Sequence, residues 1–107
     1  MAPTKEFRDT IQARAQRDPA FRKALLQEGV ECLLAGDVDT GKAVLRDYNN
    51  ATIGYEELSQ VFGRSSKSLM RMFGPKGNPQ ASNLFAVTRY LQEQEGIHLE
   101  VKARKVA

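Results

Sequence analysis

The apolar positions of this chain recur at helical spacing along most of its length. Phe7, Ile11 and Ala15 stand four residues apart and predict a weakly anchored helix over 5–17. Asp18-Pro19 reads as a helix start, with Asp as N-cap and Pro in the first turn. Phe21, Leu25, Leu26, Cys32 and Leu33 then form one apolar stripe that ends at Gly36. Asp39 or Thr40 is expected to cap the next helix, whose inner face is Val44, Leu45 and Tyr48 and which stops at Asn49-Asn50. Beyond the linker Thr52-Ile53-Gly54, residues 55–62 are helical by pattern, with Leu58, Val61 and Phe62 inward. Gly63 stops that helix, and Ser65 or Ser66 opens a short one with Leu69, Met72 and Phe73 apolar. The turn-rich GPKGNPQ of residues 74–80 precedes a last helix. Ser82 is expected to cap it, Leu84, Phe85, Val87, Thr88 and Leu91 to face inward, and Gly96 to end it.

After Gly96 the period changes. Ile97, Leu99 and Val101 alternate with His98 and Glu100, as along a strand. A lone strand needs a partner. It can pair with a second copy, pair with another protein, or be an extended tail. The pattern therefore predicts an all-α chain in three parts: an N-terminal helical extension (1–17), a single helical domain (18–101) with a short C-terminal strand or tail, and a disordered end (102–107).

Size and composition narrow the class. The 107 residues suit one domain. Apolar runs are four residues or shorter, too short to span a membrane, and the opening MAPTKEFRDT has no apolar stretch of signal-peptide type. Cys32 is the only cysteine, which excludes an intrachain disulfide and metal sites built on several cysteines. Cys32 itself reads as a buried structural thiol, and His98 has no evident partner for chemistry. The expected place is a reducing cytoplasm. No nucleophile–base pair, phosphate loop or metal spacing is present, so neither enzyme activity nor a cofactor is expected.

Charge changes the picture more. Between Glu28 and Glu57 there are seven acids and two bases. From Leu58 to Gln92, 35 residues, there are five bases (Arg64, Lys67, Arg71, Lys76, Arg89) and no acid. Such a stretch suits a surface facing a polyanion, although a solvated face is the plainer alternative. Inside it, YEELSQVFGRSSKSLMRMF has the spacing of a helix-turn-helix. Counting Tyr55 as 1, Ser59, Gly63, Leu69 and Met72 fall at 5, 9, 15 and 18. Ser59 must be small where the helices cross, and Gly63 must take positive φ. With Leu69 and Met72 inward, the outward face is Ser65, Ser66, Lys67, Met70 and Arg71. Hydroxyls, a fork-shaped cation and an apolar group suited to a thymine methyl are what base edges call for. Lys76 and Asn78 are candidates for phosphate contacts, as is Arg64 on the turn.

Gly63-Arg64-Ser65 running into Lys67-Ser68-Leu69-Met70-Arg71, then Gly77-Asn78-Pro79, together with Asp18-PAFRKALLQE, resembles the addiction-module antidote family. These are the HigA-type antitoxins of type II toxin–antitoxin systems. The resemblance spans about Asp18 to Val101. It implies a lambda-repressor-like (Cro/C1-type) helix-turn-helix domain, a homodimer, repression of its own operon at a palindromic operator in double-stranded DNA, and a RelE/ParE/HigB-like toxin as partner. Ser59 and Arg64 depart from the family's usual Ala and apolar residue, and residues 1–17 lie outside the resemblance. The alternative is a protein-interaction module that neutralises such a toxin and binds DNA weakly. The acidic stretch 28–57 would be the docking face for a basic toxin. An RNA-binding helical domain is a third reading, disfavoured by the lack of aromatics suited to stacking bases.

Overall fold

The computed structural model describes residues 5–106, and side chains from residue 10 onward. The expectations for residues 1–4, for the Phe7 side chain and for Ala107 lie outside the described residues. Among those described there are six helices and no strand: α1 (Lys5–Arg17), α2 (Pro19–Leu34), α3 (Val38–Ala51), α4 (Tyr55–Phe62), α5 (Ser66–Met72) and α6 (Ala81–Glu95).

Local chemistry sets most of the boundaries. Asp18 caps α2, its carboxylate accepting from the Phe21 N–H at 3.2 Å, with Pro19 in the first turn. Two caps differ from expectation. Asp37, not Asp39 or Thr40, caps α3, because its carboxylate reaches the Thr40 N–H at 3.3 Å. Helix α6 starts at Ala81 after Gln80 and has no side-chain cap, so Ser82 lies inside the helix. Helix α3 also runs through Asn49 and Asn50 to Ala51, and Asn49 is buried.

Helices α2 and α3 pack most extensively, and α1 lies across both. The α2–α3 crossing is close because it runs over glycines. A Cβ on Gly41 would stand 3.0 Å from the Gly29 carbonyl, and one on Gly29 would stand 2.9 Å from Leu45 Cδ2. The core is Leu26, Leu45, Tyr48, Leu58, Leu69, Phe73, Val87 and Leu91, drawn from α2 to α6, with Ala15 of α1 fully buried beside it.

Three inward expectations fail. Val61 is 46% exposed and Phe85 50% exposed. Each is a neighbour in sequence of a residue on the inner stripe, and neighbours on a helix point about 100° apart. Cys32 is half-buried rather than enclosed. The segment after Gly96 takes the tail option. Among the described residues no strand lies beside it, and the Leu99 N–H donates to the Gln92 side-chain oxygen at 2.8 Å while Ile97 and Leu99 pack on the core. Residues 101–106 are exposed and have no helix or strand.

Candidate nucleic-acid interface

Helix α4 is the support. Tyr55 and Leu58 are buried, and Glu56 and Glu57 lie in its first turn, where carboxylates complement the helix dipole. The Glu57 carboxylate also accepts from the Tyr90 hydroxyl at 3.1 Å, tying α4 to α6. Desolvation and that bond raise the Tyr90 phenol above its ordinary range. Phe62 meets Tyr90 edge to face.

The turn joining α4 to α5 is Gly63, Arg64 and Ser65. Gly63 takes φ 63°, ψ 29°, the left-handed conformation that a Cβ disfavours, and its N–H donates to the Ser59 carbonyl at 2.9 Å. The Ser59 hydroxyl donates to the Arg64 carbonyl, so this position needs more than small size. Ser65 caps α5, accepting from the Ser68 N–H at 3.0 Å. Leu69 and Met72 are buried and fix the roll of α5.

That roll places the expected residues. Arg64, Ser65, Lys67, Met70 and Arg71 are exposed along α5 and its preceding turn, and Lys76 and Asn78 are exposed just beyond it. Ser66 is a correction. It is half-buried, and its hydroxyl donates to the Tyr55 carbonyl at 3.4 Å, so it braces the helix pair instead of facing outward. Among the described residues, Arg64, Lys67, Arg71 and Lys76 make no ion pair, whereas Arg89 is paired with Glu93 at 3.0 Å.

Arg71, Lys76 and Asn78 come together around a cleft of about 210 Å³, with Ser68 and Pro79 on its walls. The loop after α5 folds back to make it. Gly74-Pro75-Lys76-Gly77 is a tight turn closed by the Gly77 N–H on the Gly74 carbonyl at 3.1 Å. Gly77 presses on the end of α5 so closely that a Cβ there would stand 1.8 Å from the Arg71 carbonyl oxygen.

Sequence reasoning missed what holds this turn. Lys42, on α3, is 3% exposed. Its ammonium donates to the Gly74 carbonyl at 3.0 Å and the Gly77 carbonyl at 2.7 Å. The nearest carboxylate, Asp39, is 4.0 Å away and itself largely exposed. One signal was available: Lys42 stands three residues before Leu45 and seven before Asn49, on the inner stripe of α3.

A second concavity, about 330 Å³, lies between α2, α6 and the tail. Leu34, Phe85 and Val101 line it and are 62%, 50% and 80% exposed. On the acidic side of α2, desolvation and then Asp37, Glu28 and Glu31 raise the Cys32 thiol above its usual range.

No protein-family model, no curated protein and no solved structure matches this chain.

Proposed function

We propose that this chain is a sequence-specific DNA-binding protein that inserts α5 into the major groove, as a regulator of the lambda-repressor-like helix-turn-helix type. The observation that carries the reading is the set of four exposed cations on α5 and its flanking turns, without an ion pair among the described residues, in a stretch without a single acid. Ser65, Lys67, Met70 and Arg71 are assigned to base edges, and Arg64, Lys76 and Asn78 to phosphates. Ser66 leaves the reading set because its hydroxyl is engaged inside the helix pair. A homodimer would set two such helices about 34 Å apart on a palindromic site.

The test is a gel-shift titration against the DNA upstream of its own gene. Lys67→Ala and Arg71→Ala are expected to weaken binding by at least tenfold each, of the order of one good base contact. Binding as tight as that of the parent by both variants refutes the assignment of α5.

The exposed apolar side chains around the second concavity favour an added role, the neutralising of a RelE/ParE/HigB-like toxin as an antitoxin. Co-expression with the neighbouring reading frame tests it. Recovery of a stable complex that Phe85→Ser disrupts supports the role, and no complex removes it.

A further inference from the structure

We infer that Lys42 is a positioning residue for DNA binding: from inside the fold it pins the turn that presents Lys76 and Asn78. The inference rests on the DNA-binding reading above and adds to it a residue that never touches the ligand.

Lys42 is almost fully enclosed, and its ammonium donates to two main-chain carbonyls at 3.0 and 2.7 Å, while the exposed Asp39 carboxylate stands farther off at 4.0 Å. A buried charge is costly unless its donors are satisfied. Here the two acceptors are not arbitrary. They are the first and last residues of the Gly74–Gly77 turn, so one ammonium bridges both ends of it. Lys76 is the third residue of that turn, and Asn78 follows its last. The Gly74 carbonyl accepts twice, from the Gly77 N–H inside the turn and from Lys42 across the fold. Pro75 restricts the turn from within, since its ring fixes φ. Contact of Gly77 with the end of α5 fixes where it sits, and the Lys42 clamp fixes its orientation. Gly77, one of the two clamped residues, itself lines the cleft shared by Arg71, Lys76 and Asn78. Because α3 carries the clamp, the arrangement couples the packed α2–α3 pair to the exposed cations.

The alternative is that Lys42 contributes stability alone. Two measurements on the full chain separate the readings. The first is amide hydrogen exchange at Gly77 without DNA, in the parent, in Lys42→Met and in Leu45→Ala, a core variant that leaves the clamp intact. Lys42→Met is expected to speed exchange at Gly77 well beyond the general increase that Leu45→Ala causes. The second is the salt dependence of duplex binding. Each phosphate contact contributes about 0.9 to the slope of log K against log salt. Lys76→Ala is expected to lower the slope by about one, Lys42→Met by as much or more, and Lys76→Ala added to Lys42→Met by little further. Lys42→Arg, which keeps the charge and the donors, is expected to restore most of the slope. If Lys42→Met does not fold, Lys42→Gln, with one amide donor, takes its place in both measurements.

Gly77 exchange that rises no more than in Leu45→Ala overturns the clamp. Slopes that fall independently for Lys42→Met and Lys76→Ala overturn the positioning role. A parent that binds no duplex overturns the DNA reading and the positioning role with it, and the Gly77 exchange still decides the clamp.

Discussion

Tyr48, on α3, donates its phenolic hydrogen to the Glu95 carboxylate in the last turn of α6, 47 residues away. Arg22, on α2, reaches the same carboxylate with its Nε at 3.0 and 3.1 Å and gives a second nitrogen to the Ala15 carbonyl of α1 at 2.6 Å. Glu95, its side chain largely enclosed, thus joins α2 and α3 to α6, and Arg22 adds α1. Removing one partner of such a group leaves a poorly compensated charge, which costs more than the pair contributes. Arg22→Met is expected to lower stability by about 2 kcal/mol, since Arg22 retains some exposure. Urea denaturation measures it, and a change under about 0.5 kcal/mol would show that the network does not hold the helices.

The same contact sets an alkaline limit. Burial first, then the bond to Glu95 and its charge, push the Tyr48 phenol well above its ordinary value of 10.0, and Arg22 opposes in part. A folded-state value above the unfolded one means stability that is complete below about pH 10 and lost as pH rises toward the folded value. Stability is therefore expected to fall above about pH 10, and Tyr48→Phe to flatten that fall. Denaturant midpoints between pH 8 and 11 report it, and equal slopes for parent and variant count against the assignment.

Gly63→Ala is expected to cost about 1–2 kcal/mol, because a Cβ at φ 63° meets the following carbonyl. No other atom stands within 4 Å of that Cβ, so the cost is conformational and not a clash. Asn, which tolerates this region better, is expected to cost less than Ala. An Ala variant as stable as the parent would mean that the turn adopts a different conformation.

Leu84 and Phe85 are adjacent but differently placed, 7% and 50% exposed. Leu84→Ala is expected to cost about 3 kcal/mol and Phe85→Ala under about 1 kcal/mol. Thermal melts of the two variants check the order, and reversal would rotate α6 about its axis.

Arg89 offers a control for the DNA reading. It belongs to the acid-free stretch but lies on α6 and is paired with Glu93. Arg89→Ala is expected to leave duplex affinity within about threefold, against tenfold or more for Arg71→Ala. Equal losses would attribute binding to general charge and not to α5.

Much of this arrangement is determined by short-range chemistry and can be read directly from the residues. Asp18-Pro19 must start a helix, Gly63 and Gly96 must end one, and the four-residue spacing of Leu58 with Phe62 and the Leu69–Met72 pair orient the short helices. Each depends on a cap, a φ value or a periodicity held within a few residues. The exposure of Lys67, Met70 and Arg71 follows from that periodicity.

What tertiary structure alone decided lies at contacts between residues far apart in the chain. Val61 and Phe85 are apolar and sit next to core positions, and only the packed neighbours settle that they face outward. Ser66 looked like a reader until the Tyr55 carbonyl, eleven positions earlier, took its hydroxyl. Nothing near Lys42 in the chain marks its ammonium's partners, because its acceptors lie 32 and 35 residues ahead. The alternation after Gly96 gave a strand period, but a strand exists only where another backbone runs beside it. The residues by themselves determined where most of the helices run and that Lys67 and Arg71 face outward. Packing decided that Lys42 turns inward and meets the Gly74 and Gly77 carbonyls, adding to what Pro75 and Gly77 do within the loop, because a main-chain carbonyl carries no side-chain signature by which its partner could be recognised.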